Sequence, residues 1–379
     1  MIEFKGMTWD HPRGVDPLVA ASEEYNRLNP QVKIEREKRS LQAFADQPLE
    51  TMASTYDFMV IDHPHVGEAS AQGVLIALDG KGYEHELAAL AANSTGASHR
   101  SYEWEGHQWA LAIDSAAQVA ARRRDLLESP ITTWDEVIRL AETGKVLFPL
   151  KPVDAVDAFL SLCANIDDPC AETSTTLVSR KTGVYVLEQM YAVAKHLDQR
   201  CFAMNPIGAL DLMSETDDFV YCPMLFGYVN YSQAGFRSKL VHHENMPVLG
   251  NDGPKGSILG GTGICVSSLT KHQEEAIKFA FWLAGEECQT GVYAANNGQP
   301  GHAKAWVSVQ NNARSNNFFS NTKETLDRSW LRPRYAGFLN FADEGGDAVN
   351  AFVRGDATAE ATMDILERSY LNSLGQSAS

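Results

Sequence analysis

Residues 2–9, Ile2-Glu-Phe-Lys-Gly-Met-Thr-Trp9, mix apolar and polar positions with near-alternation and read as a strand. Leu18, Ala21, Tyr25 and Leu28 then recur at helical spacing. They predict a helix over 16–28 with Pro17 in its first turn, where a missing N–H is tolerated. Val32 to Glu35 alternates again, as a half-buried strand should. Tyr56-Asp57-Phe58-Met59-Val60-Ile61 is short and mostly apolar, the mark of a strand covered on both faces of a parallel sheet. Strands alternating with helices in this way predict an α/β architecture with a largely parallel sheet.

Further along, a turn around Gly106 leads into an apolar strand over 109–113 that ends on Asp114, followed by the small residues Ser115, Ala116 and Ala117. The Thr133 hydroxyl stands three residues before Glu136, the spacing of a capped helix start, and predicts a helix over 134–142. Helices are expected over 156–163 and 182–197, a buried strand over 218–229, and a glycine-rich return strand over 253–266. Ala276, Phe279, Ala280 and Leu283 share one face of an amphipathic helix over 272–284. Residues 321–370 read as helical with an interruption at Pro333, and the tail after Leu371 as frayed. Arg122-Arg123-Arg124 reads as a solvated basic cluster on a helix. There is no internal repeat.

At 379 residues the chain suits two domains, each with its own core. Its 44% hydrophobic and 21% charged content is ordinary for a globular protein. No apolar run approaches the roughly 18 residues of a membrane span. A net charge of −17 argues against binding nucleic-acid phosphates and suits a monomer whose copies repel one another. The six cysteines, at 163, 170, 201, 222, 265 and 288, show no zinc-type spacing and are expected as buried free thiols. An oxidising compartment leaves pairing of Cys163 with Cys170 or with Cys201 open. The first nine residues carry none of the marks of a secretion signal, which bears on location.

The run from Tyr102 to Asp114, with Thr133-Trp134-Asp135-Glu136 after it, resembles the crossover segment of the extracellular solute-binding proteins of ABC importers, the maltose-binding type. Tyr56 to Asp62 with Gly73 to Asp79 is similar to that family's buried strand and its follower. Gly260-Gly261-Thr262-Gly263-Ile264 resembles the second crossover, and Gly355 to Ala361 a C-terminal ending. The resemblance covers most of the chain. It implies a two-lobe periplasmic-binding-protein fold of the second type, with a multi-strand hinge near 112–116 and 259–263 and a cleft for the solute. Residues 1–112 with 264–315 would form one lobe and 113–263 with 316–379 the other. It also implies a monomeric receptor without cofactor or catalysis, delivering a small-molecule solute to the transmembrane subunits of an ABC permease. The location implied is periplasmic, with cytoplasmic as the alternative.

In open α/β sheets ligands lie outside the carboxyl ends of the strands. That rule selects Trp9, His11 and Arg13 after the first strand, Arg39 (with Ser40) after the second, His63 and His65 after the third, and Asp114 at the crossover. Tyr228, Asn230 and Tyr231 are selected in the second lobe, and Thr262 and Arg334 complete the set. Two arginines and three histidines favour an anionic solute, an organic acid or acidic sugar, because guanidinium matches a carboxylate or phosphate fork. A neutral carbohydrate receptor and a cytoplasmic metabolite sensor of the same fold are the alternatives. His63 and His65 lack a third spaced ligand, so no metal site is expected, and backbone N–H groups at 260–263 could hold an anionic oxygen.

Overall fold

The computed structural model describes residues 1–39 and 48–375. Ser40 and the last four residues, 376–379, lie outside them. By packing, the chain divides into two units, Met1–Ser115 with Gly260–Ala313 and Ala116–Leu259 with Arg314–Ser379. It passes from one unit to the other three times, after Ser115, Leu259 and Ala313.

The first unit is built on a five-stranded sheet. In spatial order its strands are Val32–Arg39, Ile2–Trp9, Phe58–Asp62, Thr262–Val266 and Leu111–Ala112. The first three run parallel, and Thr262–Val266 runs antiparallel to Phe58–Asp62. Phe58 to Ile61 are all buried, which is why this central strand carries an unbroken apolar run. The helix Gln273–Ala284 turns Ala276, Phe279, Ala280 and Leu283 inward. The Phe279 ring meets Phe58 at 4.9 Å and Tyr25 at 4.9 Å, so helix, sheet and first helix close one core.

That first helix, Pro12–Leu28, starts four residues earlier than the apolar spacing indicates. His11 is the cause: its imidazole Nδ1 accepts from the Arg13 N–H at 3.1 Å, and Pro12 supplies the preset φ of a first helical position. Pro17 therefore sits inside the helix rather than in its first turn.

The second unit has a smaller sheet under more helices. Ala116–Arg122 pairs antiparallel with Tyr221–Phe226 and with His242–Glu244, and Leu259–Gly260 joins the same sheet. Every residue of Ala116–Arg122 is buried, and its alanines leave room for helices above and below. The helix Trp134–Ala141 begins on the anticipated capping box: Glu136 N–H donates to the Thr133 hydroxyl, and the Glu136 carboxylate accepts from the Thr133 N–H. Pro152–Asn165, Arg180–Ala194, Phe338–Val353 and Ala359–Gly375 build the rest of the core around Phe159, Met190, Phe341 and Leu366. The break at 328–337 holds Pro333, and the last helix runs to Gly375, past the expected fraying point.

The reading of the basic triplet is also overturned. Arg122 ends a strand, and Arg123 is 1% exposed, so the basic triplet is neither helical nor solvated as a group. Arg122 donates to Glu244 through Nε at 3.0 Å and Nη2 at 2.5 Å. Arg123 reaches Asp125, Asp217 and the carbonyls of Met213 and Thr216. Two carboxylates and two carbonyls thus hold its guanidinium while the side chain stays buried.

Candidate functional site

Because the first three strands of the first unit are parallel, their carboxyl ends, Trp9, Arg39 and Asp62, fall on one edge of the sheet. Trp9 and Arg39 are register partners, and Asp62 is paired with Thr262. Asp114 joins this edge by reciprocal backbone bonds: its N–H donates to the Thr262 carbonyl at 3.0 Å and its carbonyl accepts from the Thr262 N–H at 3.0 Å. The topology thus gathers Trp9, His11, Arg13, Asp62, His63, Asp114 and Thr262 from four separate stretches of chain.

Arg13 and Asp114, 101 residues apart, form a forked pair. Nε meets Oδ1 at 2.9 Å and Nη2 meets Oδ2 at 2.5 Å. Both side chains are almost wholly buried, at 5% and 0% exposure. Burial pushes the Asp114 carboxyl above its ordinary range although Arg13 draws it down, and the nearby Asp62 charge adds to the rise. The crossover acid therefore has both oxygens bonded within its own unit.

The other expected cations are placed differently. Arg39 donates to the Tyr56 hydroxyl from Nε at 3.3 Å and Nη2 at 3.0 Å, and its guanidinium lies 5.3 Å from that ring's centre. The hydroxyl donates on to Glu37 at 2.7 Å. His63 is 1% exposed on a single 3-10 turn, edge-on to Tyr102 at 6.4 Å, and His65 on the same turn is half-buried. Trp9 is 4% exposed and covers the first turn of the following helix so closely that a Cβ on Gly14 would fall 2.5 Å from its ring.

The glycine run, read as offering backbone N–H groups to an anion, makes a close approach of two stretches of chain. Gly261, at φ +100°, lets the chain approach Asp114, whose carbonyl would stand 2.3 Å from a Cβ there. The Thr262 N–H is spent on that same carbonyl. The Thr262 hydroxyl is buried and has no partner among the described residues.

In the second unit, Tyr228 follows the Tyr221–Phe226 strand in extended conformation, and Asn230 and Tyr231 stand on the short 3-10 turn Val229–Ser232 after it. Tyr231 is committed to the scaffold. Its hydroxyl donates to Asp211 at 2.7 Å, Arg237 shares that carboxylate at 3.0 Å, and burial together with Asp211 pushes the phenol far above its usual range. Tyr228 keeps 7% of its surface exposed. Asn230 is 0% exposed, and neither its Oδ1 nor its Nδ2 has a hydrogen-bond partner among the described residues. A buried primary amide without partners is costly, about 1–3 kcal/mol, so such a group points to a missing polar neighbour. Arg334 is half-buried in the 328–337 segment.

A further polar group went unread in the sequence. Asp154 and Asp157, in the first turns of Pro152–Asn165, are 6% and 3% exposed. Arg332 Nη1 approaches Asp157 at 3.6 Å, and its Nε is buried with no partner among the described residues. Burial, with the Asp157 charge second, holds the Asp154 carboxyl well above the carboxylate range. The available signal was a pair of acids three residues apart in an otherwise apolar helical stretch, all of which from Asp154 to Asn165 is buried. Among the described residues there is no cluster of three or more metal-ligating side chains, and no helix is long and apolar enough to cross a membrane.

No family model matches the chain, and no curated protein matches it in sequence. Solved structures match it closely in fold. Maltose-bound MalE3 of T. maritima superposes with a TM-score of 0.82 at 17% identity, over 98% of this chain and 99% of that one. The ABC substrate-binding protein Lmo0181 of Listeria monocytogenes, in complex with cycloalternan, gives 0.81 at 16% identity over 99% of both. An ABC transporter solute-binding protein of Agrobacterium radiobacter K84 with ribitol gives 0.79 at 16%, over 99% of this chain and 98% of that one. The fold is thus the two-lobe α/β fold of the maltose-binding type, as the sequence resemblance implies.

Proposed function

We propose that this protein is a solute-binding receptor of an ABC importer, that its solute is a neutral carbohydrate or polyol, and that it works outside the cytoplasm without catalysing a reaction. Three structures of this fold carry maltose, cycloalternan and ribitol, all uncharged polyhydroxylated molecules. The arginine placement agrees with that class and weakens the anionic alternative. Arg13 is bonded through two nitrogens to Asp114 and Arg39 through two nitrogens to Tyr56, so each guanidinium already has a protein acceptor.

The observation that carries the reading is Asn230. Its amide offers one acceptor and two N–H donors, none of them met among the described residues. A sugar hydroxyl is both donor and acceptor, and a vicinal pair can satisfy both ends of an amide. The Thr262 hydroxyl offers the same dual character in the first unit, and Tyr228 supplies an aromatic face for the apolar side of a sugar ring. In this proposal Trp9, His11, His63, His65 and Asp114 go with Thr262 in the first unit, and Tyr231 and Arg334 with Asn230 and Tyr228 in the second.

A thermal-shift screen over neutral mono- and disaccharides, sugar alcohols and sugar acids tests this. A neutral hit should raise the melting temperature in proportion to the logarithm of its concentration. Asn230→Ala and Tyr228→Ala should each weaken that hit about tenfold or more. Binding confined to sugar acids, with neutral sugars inert, would return the anionic reading.

A further inference from the structure

Two cysteines outside the proposed solute site meet at the end of the Pro152–Asn165 helix. Cys163 lies in its last turn and Cys170 seven residues on, both 0% exposed. The chain reverses between them. The Asp167 N–H donates to the Ala164 carbonyl at 3.3 Å, and the Asp168 N–H returns to the Cys163 carbonyl at 3.1 Å, with Asp167 itself at φ +65°. Beyond the turn, the Ala171 N–H is pinned to the Leu177 carbonyl at 2.7 Å. This reversal lays Cys170 back on Cys163, and the two thiols are direct side-chain neighbours. The remaining four lie elsewhere: Cys222 Sγ turns to the Met224 carbonyl at 3.6 Å, Cys265 Sγ to that of Met59 at 3.3 Å, Cys201 sits on the separate turn Gln199–Ala203, and Cys288 on Glu286–Cys288.

We propose that Cys163 and Cys170 become a disulfide when the chain folds under oxidising conditions, fastening the helix end to its following turn. Each thiol gives up a proton and the pair gives up two electrons as the S–S bond forms. A disulfide-class oxidant such as oxidised glutathione takes those electrons and splits into two thiols. Burial raises the Cys163 thiol well above its usual range, so little thiolate exists once the fold is closed. The bond therefore forms during folding, before the turn is sealed.

The position gives the bridge a consequence. Asn165, two residues beyond Cys163, holds a neighbouring segment by four bonds. Its Oδ1 accepts from the N–H groups of Leu249 and Gly250, each at 2.8 Å, and its Nδ2 donates to the carbonyls of Lys255 at 2.8 Å and Gly253 at 3.3 Å. The packing is tight: a Cβ on Gly250 would fall 2.5 Å from the Asn165 carbonyl oxygen. A disulfide at this helix end stiffens the support of 249–256, the stretch just before the chain leaves the second unit after Leu259.

The test is to refold the full chain in a reduced/oxidised glutathione buffer, denature it, alkylate it and weigh it. Of the six cysteines, four should be alkylated, and peptide mapping should recover Cys163 linked to Cys170. The oxidised form should melt a few degrees above the reduced form. Cys170→Ala, with Cys163→Ala as a second variant should the first misfold, should leave its five remaining thiols all alkylated. Six alkylated cysteines in the wild-type chain, or a bridge from Cys163 to Cys201, would overturn the proposal. So would a disulfide that survives in both variants.

Discussion

The two units bury polarity in opposite ways. On the strand-end edge of the first, the deepest charges answer each other: Arg13 and Asp114 share two hydrogen bonds and almost no water. In the second, Arg123 is just as deeply buried and fully bonded, yet on the turn after the Tyr221–Phe226 strand the Asn230 amide is left unanswered. A closed ion pair is committed to holding the fold. An unanswered amide stands ready for something that is not protein. The first unit thus settles its buried charge pair and leaves the Thr262 hydroxyl unmet, whereas the second leaves a whole amide unmet, the deficit on which the proposed function rests.

The largest effect that could break this contrast is at Asp114. Asp114→Ala leaves the Arg13 guanidinium buried without its carboxylate and should cost about 3–5 kcal/mol of stability, read from urea unfolding. The double change Arg13→Met with Asp114→Leu should recover most of that loss, because two matched apolar groups replace two matched charges. If Asp114→Ala costs under about 1 kcal/mol, the pair is no structural anchor.

At Asn230 the opposite sign is expected. Asn230→Leu removes an unmet amide of similar size, so the ligand-free protein should gain roughly 1 kcal/mol or stay unchanged while sugar binding is lost. A loss of stability together with intact binding would place Asn230 in the scaffold instead. Arg36 offers a smaller test within the first unit. Its Nε donates to Ser22 at 3.1 Å, its head lies 5.6 and 5.4 Å from the Phe58 and Phe279 ring centres, and its Nη atoms have no partner among the described residues. Burial draws its pKa down to about 10. Arg36→Met should therefore change stability by no more than about 1 kcal/mol, in either direction.

The smallest effect is on pH. His99 is held below its ordinary range by burial, with the Glu103 charge opposing. The unfolded chain therefore takes up the proton more readily than the folded one. Stability from this group is complete above the unfolded imidazole value, about 6.5, and falls as pH drops through it toward the lower folded value. Denaturation midpoints at pH 7.5 and 5.5 should show the drop, and His99→Gln should shrink it. A midpoint difference as large in the variant would assign the slope to other groups.

Much of the fold was legible along the chain. The unbroken apolar run at 58–61, the Thr133–Glu136 cap and the inward face of Gln273–Ala284 each depend on residues within a few positions of one another. The site was legible only as a set of positions. The strand-end rule correctly gathered Trp9, Arg13 and Asp114 on one edge but could not foresee that Arg13 and Asp114 would bond each other. Arg122 to Arg124 misled for the same reason: a local charge run looks solvated until distant Glu244 and Asp217 come to meet it.

The sequence by itself determined the strongly patterned strands and helices, such as 58–61, 134–141 and 273–284, because hydrophobic period and caps act over a few residues. Tertiary structure alone decided which charges are spent on each other and which polar atoms stay unmet. Those outcomes depend on partners as far apart as Arg13 and Asp114, and on an exclusion of water that exists only once the strands have been brought side by side.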